Sequence, residues 1–192
     1  MLSDNQGFLF DDRDGEVYGT VQIGGQEWMA ENLRFYCEGS VACDGGEALV
    51  STYGRLYSWS ALEAAIPEGW HLPSMLEWEE LLWNAGALEL ERMNSDLKYG
   101  GAATSLKSAN LWQPDPDFQA VGDDLLHFAA VPSGVRNVSG YSGFGTCAEF
   151  WSGTFLGEWA STFCFYNFSS AVFRSKVCRG RSPFLAIRCV KN

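Results

Sequence analysis

The chain has 192 residues, a net charge of -11 and a hydrophobic share of 46%. Its length is enough for one sizeable domain, and its hydrophobic share argues against a disordered chain. The negative charge argues against general nucleic-acid binding. The sequence has no apolar run of about eighteen residues that could span a membrane. The first residues lack a basic stretch followed by an apolar one, so no signal peptide is recognisable.

The N-terminal region predicts a β-hairpin followed by a helix. Residues 15–33 are rich in strand formers and carry a turn signal at Gly24-Gly25, which is typical of two paired strands. Residues 1–11 before them are expected to form a flexible N-terminus. A helix is then predicted over residues 58–65, because a proline and a glycine that break helices follow it.

A second helix is predicted over residues 74–84. Ser74 and Glu77 have the spacing of a capping box, in which each side chain hydrogen-bonds the other residue's backbone N–H. Trp78 and Trp83 on this helix could stack on a ligand or pack in the core. We favour core packing for both, because an apolar stripe runs beside them. The helix is therefore interpreted as a buried brace for a sheet.

The second half of the chain predicts long loops and short strands. Residues 84–132 are interrupted by glycines and prolines, which is typical of loops. A strand is predicted at residues 149–152, and "FLAIRCVKN" at residues 184–192 predicts a buried final strand. Because no linker and no internal repeat is recognisable, residues 1–192 are interpreted as a single domain.

The cysteines and histidines narrow the possible chemistry. Cys37 and Cys43 flank a short glycine-containing loop, so we predict a disulfide between them, which fits an oxidising compartment. Cys164 and Cys178 could also face each other across a hairpin, and the connectivity stays open. The chain has no C-x-x-C pair for a zinc site, and neither of its two histidines lies in a nucleophile–base pattern. We therefore predict no cofactor and no enzymatic activity.

Charge is unevenly distributed along the chain. Glu158 is the last acidic residue, and every charged residue after it is basic. This segment is either a solvated face of the domain or a surface that faces a ligand, and the sequence leaves both interpretations open. Its members are Arg174, Lys176, Arg179, Arg181, Arg188 and Lys191.

A calcium-dependent sugar site is an alternative prediction for residues 113–124. The tripeptide "QPD" at residues 113–115 is similar to the galactose-type motif of calcium-dependent lectins, and calcium needs several oxygen ligands. The downstream Trp-Asn-Asp triplet of those lectins is absent. A solvated loop is therefore the simpler interpretation of its four aspartates, Asp115, Asp117, Asp123 and Asp124.

Several motifs together resemble one bacterial family. They are "DRDGEVYGTVQIGGQEWMAENL", "YGRLYSW", "PEGWHLPSMLEWEEL", "LKS", "FAAVPSGVR", "EFWSGT" and "AIRCVK". In this order they resemble the Fibrobacter succinogenes major paralogous domain over nearly the whole chain. The resemblance implies an α+β, C-type-lectin-like fold of the formylglycine-generating-enzyme branch. That fold has two helices packed on short antiparallel sheets, long loops, and the first hairpin and last strand in one sheet. A secreted or surface-attached bacterial protein is also implied.

The resemblance extends to the variable proteins of diversity-generating retroelements. In those proteins a mutagenic reverse transcriptase diversifies residues on the ligand face. Over about residues 155–184 this chain replaces most of the family's asparagines, and the replacements, although not Lys176, are reachable from asparagine codons. We therefore predict a hypervariable, exposed and contiguous face that binds a protein or glycan on another cell or phage surface. The predicted ligand-binding residues are Phe155, Leu156, Trp159, Ser161, Phe163, Phe165, Phe168, Phe173, Ser175, Val177, Arg179 and Arg181.

The chain also departs from the family at two positions. Phe184 replaces a glycine before the last strand, and Ile66 replaces a cysteine, so that Cys189 lacks its family partner. The main alternative to ligand binding is a structural or adhesin-type surface domain without a variable site. The chemistry of the formylglycine-generating relatives is not expected, because it needs reactive cysteines in a defined pocket.

Overall fold

The structure, a computed structural model, describes residues 5–44, 46–88, 90–93, 96–118, 122–181 and 183–192. Its architecture is mixed α+β and consists mostly of β-sheet with a few short helices. The strands are β1 (Gln6–Asp11), β2 (Glu16–Ile23), β3 (Gln26–Met29), β4 (Ser40–Ala42), β5 (Arg55–Tyr57), β6 (Trp70–His71), β7 (Leu90–Met93), β8 (Asp96–Tyr99), β9 (Ser133–Asn137), β10 (Gly140–Phe144), β11 (Cys147–Leu156), β12 (Trp159–Tyr166), β13 (Val172–Cys178) and β14 (Val190–Lys191). The helices are α1 (Val50–Tyr53), α2 (Leu62–Ala65), α3 (Met75–Asn84) and α4 (Ala103–Leu106).

One sheet joins the two ends of the chain, in the order β1-β2-β3-β14-β6. The predicted β2–β3 hairpin turns at Gly24, whose φ of 59° suits glycine. Val190 of the last strand pairs with both Trp28 and His71, so the expected shared sheet is confirmed. The flexible terminus predicted for residues 1–11 is wrong over β1. That strand pairs with β2 along its whole length, and its Leu9 side chain is buried.

A second sheet has the order β10-β9-β11-β12-β13-β8-β7. Its centre is formed by the long strands β11, β12 and β13, which pair in antiparallel fashion. The strand predicted at residues 149–152 is confirmed and extends over residues 147–156. This sheet therefore contains most of the segment in which the sequence predicts a ligand-binding face.

An aromatic core lies between α3 and the sheets. Trp78 of α3 is fully buried, and its ring centroid lies 5.0 Å from that of Trp28 and 5.6 Å from that of Phe150. The core interpretation of Trp78 is confirmed. The same interpretation is wrong for Trp83, which is 48% exposed and makes a T-shaped contact with the ring of Tyr99. Five residues turn a helix by about 500°, so Trp83 lies about 140° around α3 from Trp78.

Both predicted helices are present, and a capping box begins the second. Ser74 caps α3: its hydroxyl accepts from the backbone N–H of Glu77, and its own N–H donates to the Glu77 carboxylate at 2.7 Å. Burial works to raise the pKa of Glu77, but the hydrogen bonds from Ser74 and His71 leave that pKa below its usual value. The helix predicted over residues 58–65 is a 3₁₀ turn at Trp59–Ala61 that continues into α2. Both helix predictions are confirmed.

Arg188 joins the last segment to the rest of the core. It is fully buried and donates to the Asn32 side chain at 2.7 Å and to the backbone carbonyls of Met29, Phe128 and Ala129. Its guanidinium also lies 4.7 Å from the ring centroid of Phe128. Arg188 is therefore not part of a basic surface, although the sequence groups it with the exposed cations. A buried guanidinium is tolerated here because its donors are satisfied.

The structure contains six free cysteines, so the predicted Cys37–Cys43 disulfide is wrong. The turn closed by the hydrogen bond from Ser40 N–H to Cys37 O is followed by β4. Because a strand advances about 3.3 Å per residue, β4 carries Cys43 away from Cys37. Cys164 and Cys178 do not face each other either, since Cys164 pairs with Phe173 and Cys178 pairs with Trp159.

Candidate functional site

A cavity lies where α3 begins and the β11–β12 hairpin ends. We call it the tip cavity, and its volume is about 580 Å³. This size falls within the usual range for small-molecule and side-chain binding pockets. The hairpin contributes Thr154, Phe155, Leu156, Trp159 and Ser161 to its lining, and the rest comes from Met75 on α3 and from Arg174 and Lys176 on β13.

Backbone contacts fasten the hairpin to the start of α3. The β11–β12 register is irregular between Trp151 and Phe155, and in this interval Gly153 N–H donates to Pro73 O at 2.8 Å. Met75 N–H donates to the Thr154 hydroxyl, also at 2.8 Å. A Cβ atom on Gly153 would lie 2.8 Å from the carbonyl oxygen of Leu72, so the close approach requires glycine. The capped helix thus positions one wall of the tip cavity.

Large apolar side chains are exposed around the turn of this hairpin. We call residues 155–159 the hairpin tip. Phe155 is 55% exposed, Leu156 is 83% exposed and Trp159 is 52% exposed, and Gly157 with a φ of 57° makes the turn between them. Isolated exposed apolar residues are ordinary, but three of them on one turn beside a cavity are typical of an interaction site.

The charges at the tip cavity are positive and only partly balanced. Arg174 forms an ion pair with Glu79 of α3 at 2.9 Å and also contacts the Met75 sulfur. Lys176 is exposed and pairs across the strands with Ser161. Within the described part of the chain its ammonium makes no ion pair or hydrogen bond. Lys176 therefore leaves the cavity with one uncompensated positive charge.

Arg179 supports the hairpin tip from its outer side. Its guanidinium lies 4.4 Å from the ring centroid of Phe155 and 4.7 Å from that of Trp59, and it donates to the carbonyl oxygen of Gly157. Trp59 in turn meets Phe155 edge-on at 5.5 Å. Stacked aromatic and guanidinium groups of this kind restrain one another. The tip is thus a supported surface rather than a loose loop.

Strand alternation divides the twelve predicted ligand-binding residues between the two faces of the sheet. Odd-numbered residues of β12 pair with even-numbered residues of β13, as Phe163 does with Arg174. Because side chains alternate between faces along a strand, the odd-numbered residues of the two strands lie on opposite faces. The expected single contiguous face is therefore wrong.

Phe163 and Phe165 are buried in the core, which contradicts their predicted exposure. They follow Trp159 and Ser161 on the same face of β12, but farther along the strand, where Trp78 of α3 packs against the sheet. Phe165 lies edge-on to Phe150 at 5.8 Å. Aromatic composition alone does not separate these core residues from exposed ones, whereas their place along the strand does.

The remaining predicted residues lie elsewhere. Phe173, Ser175 and Val177 are half-buried on the other face of β13, and the Ser175 hydroxyl donates to Asp96. Phe168 is exposed and stacks on Tyr166 beyond the far end of β12. The side chain of Arg181 lies outside the described part of the structure. Of the twelve, Phe155, Leu156, Trp159 and Ser161 line the tip cavity, and Arg179 stacks against its edge.

Sequence reasoning missed four lining residues, Met75, Thr154, Arg174 and Lys176. Lys176 was not predicted, because lysine at this position is not reachable from an asparagine codon, yet it lines the cavity. Side chains alternate between the two faces of a strand. This rule places Arg174 and Lys176 on one face of β13 and the remaining predicted residues, Phe173, Ser175 and Val177, on the other. No signal in the sequence points to Met75. It lines the cavity because the start of α3 contacts β11.

Three of the aspartates considered for calcium accept hydrogen bonds from backbone N–H groups of their own loop. Asp115 accepts from the backbone N–H groups of Asp117 and Phe118, and Asp123 accepts from that of Leu125. Asp124 accepts from Ala129 N–H at 2.6 Å. Among the described residues, no group of three or more His, Cys, Asp or Glu side chains could hold a metal ion.

The fold and site define a β-rich α+β domain with a ligand-sized cavity beside an exposed apolar turn. A family model described as the Fibrobacter succinogenes major domain matches residues 21–191, so the chain belongs to that family. No curated protein and no solved structure matches the chain. In the described ranges, no helix is long and apolar enough to cross a membrane.

Proposed function

We propose that this domain is a non-catalytic ligand-binding module whose site is the tip cavity together with the hairpin tip. One observation carries the proposal: Phe155, Leu156 and Trp159 are all exposed on one supported turn beside a cavity of about 580 Å³. Exposing such side chains to water is unfavourable, by roughly 25 cal/mol per Å² of apolar surface. A partner that covers them recovers this free energy.

The charge beside the tip indicates the chemistry of the ligand. Among the described residues of the cavity lining, Lys176 is the cation without an ion-pair partner, since Arg174 is paired with Glu79. The proposed ligand is therefore a polypeptide that presents an apolar side chain next to a carboxylate. A protein on another cell or phage surface is the ligand class that we favour, and a glycan is the alternative that the experiment below distinguishes.

The finer family assignment is also part of the proposal. We infer a C-type-lectin-like fold, supported by family membership and by a sheet that contains both the first hairpin and the last strand. We also infer a secreted or surface-attached protein diversified by a retroelement. Among its predicted variable residues, we now propose as ligand contacts only those at the tip and the tip cavity, namely Phe155, Leu156, Trp159, Ser161 and Arg179. A template repeat beside a reverse-transcriptase gene, differing from this gene only at template adenines, would support diversification; its absence would reject it.

The binding proposal is tested by screening the purified domain against a displayed random-peptide library and, in parallel, a glycan array. Leu156→Ala and Trp159→Ala should each lower the affinity for a selected peptide at least tenfold. Lys176→Gln should lower the affinity for acidic peptides and make their binding less dependent on salt. Phe10→Ala is the matched control, because Phe10 is 64% exposed on β1, outside the tip cavity. Selected peptides that bind all three of these variants as tightly as the parent reject the site, and hits confined to glycans reject the polypeptide class. A structural domain without a binding site yields no specific hit.

A further inference from the structure

We propose that a second cavity, on the other face of the β11–β13 sheet, binds a small organic cation of the primary alkylammonium class, with Glu149 as its counter-charge. The proposal does not depend on the function assigned to the tip cavity. It rests on one carboxylate side chain at the lining of a predominantly apolar space, which we call the Glu149 cavity.

The Glu149 cavity has a volume of about 380 Å³ and lies between β9, β11 and β13 and the segment before the last strand. Its apolar lining includes Val135, Val177, Pro183 and Leu185. This volume is within the usual range of small-molecule sites, and the side chains suit an alkyl body rather than a sugar. Glu149 is the only carboxylate in the described lining.

Glu149 accepts hydrogen bonds from two neutral groups, the Thr162 hydroxyl and the Cys164 thiol, and has no cationic partner among the described side chains. Its Oε1 accepts from the Thr162 hydroxyl at 2.7 Å. No ion pair to it is present in the described part of the chain, and the nearby carboxylate of Asp96 adds repulsion. Burial raises the pKa of Glu149, and Asp96 contributes in the same direction. A carboxylate in such a setting is stabilised by any cation that reaches it.

The one described cation in the lining is turned toward aromatic rings. The Arg136 guanidinium lies 4.8 Å from the ring centroid of Phe184 and 5.7 Å from that of Tyr141. The Arg136 guanidinium is thus engaged by Phe184 through a cation–π contact. Trp159, at the end of β12, also borders the cavity. An ammonium group at Glu149 with its alkyl chain along Val177 and Leu185 satisfies the charge and the apolar lining together.

The test uses n-butylammonium chloride as the probe and 1-butanol as its neutral analogue, each titrated into the isotopically labelled domain and followed by NMR. We expect n-butylammonium to bind at least tenfold more tightly than 1-butanol and to shift the amide signals of Val177 and Leu185. Glu149→Gln keeps the hydrogen bond from Thr162 but removes the charge, and it should reduce n-butylammonium affinity at least tenfold without changing that of 1-butanol.

Two further variants make the result specific. Glu38→Gln removes a carboxylate from an exposed position outside the cavity lining and should leave binding unchanged. Ser139→Trp adds bulk at an exposed position of the cavity lining, leaves Glu149 in place, and should block the probe. Equal affinity for the two probes, unchanged n-butylammonium affinity in Glu149→Gln, or signal shifts confined to other surfaces would each overturn the proposal. None of these outcomes bears on peptide binding at the hairpin tip.

Discussion

The ring of Trp78 on α3 stacks on the ring of Phe163 on β12, with centroids 4.9 Å apart and planes 17° apart. Ala160 lies three residues before Phe163 on the same strand. It belongs to a second core cluster, which also contains Trp151. At the start of the strand, Trp159 is half exposed at the hairpin tip. One strand thus supplies the core at one end and the proposed binding surface at the other.

Phe163→Ala should lower the free energy of unfolding by about 3–5 kcal/mol, because it leaves a cavity beneath Trp78. Phe155→Ala, at an exposed position, should change it by less than about 1 kcal/mol. Urea unfolding followed by tryptophan fluorescence measures both. Equal effects of the two substitutions would contradict the division of the hairpin into core and surface.

Gly153→Ala should destabilise the domain by about 1–3 kcal/mol and weaken binding at the tip. The added Cβ atom meets the carbonyl oxygen of Leu72 at 2.8 Å, and backbone must move to relieve this contact. Gly180→Ala is the control, since a Cβ atom there has nothing within 4 Å. Thermal unfolding and hydrogen exchange at Met75 measure the effect, and a Gly153→Ala variant as stable as Gly180→Ala would show that β11 and α3 are not fastened there.

Glu149→Gln should stabilise the domain near neutral pH. Burial raises the pKa of Glu149 in the folded state, so the folded protein holds this proton more tightly than the unfolded chain. The resulting stability is complete below the unfolded pKa and is lost as the pH rises through the raised folded pKa. Urea unfolding from pH 4 to pH 8 should therefore show the parent losing stability relative to the variant. Parallel curves would mean that Glu149 is ionised in both states alike.

Lys107 should make stability increase with pH in the alkaline range. Its fully buried ammonium donates to the carbonyls of Tyr166 and Ser169 at 2.5 and 2.7 Å, and burial lowers its pKa from 10.5 to about 8. Between these two values the unfolded chain binds the proton that the folded protein has lost, so stability rises with pH. Lys107→Met lacks this contribution.

The difference in unfolding free energy between the parent and Lys107→Met is the quantity to measure, from pH 7 to pH 10.5. This comparison removes the opposing effect of buried tyrosines and cysteines, which titrate in both proteins. At pH 7 the variant should also lose about 1–3 kcal/mol, because the carbonyls of Tyr166 and Ser169 lose their donor. A difference that does not change with pH would show that Lys107 keeps an ordinary pKa.

Local signals in the sequence determined the elements whose formation depends on neighbouring residues. The capping box at Ser74 and Glu77 predicts the start of α3, and Gly24-Gly25 predicts the β2–β3 hairpin, since both depend on hydrogen bonds and backbone angles within a few residues. The motifs from residue 12 to residue 191 also indicate the family correctly.

Tertiary structure decided which face each residue of the 155–184 segment occupies. The parity of a strand is set by its pairing with other strands, as when Phe163 pairs with Phe150 and Arg174. A shift of one residue would exchange core and surface, and composition contains no information about that choice. The burial of Phe163 and Phe165, the recruitment of Met75, Arg174 and Lys176, and the position of Glu149 at a second cavity all follow from pairing and packing between distant segments. Local sequence determined which elements form, and packing of those elements decided which side chains are free to bind.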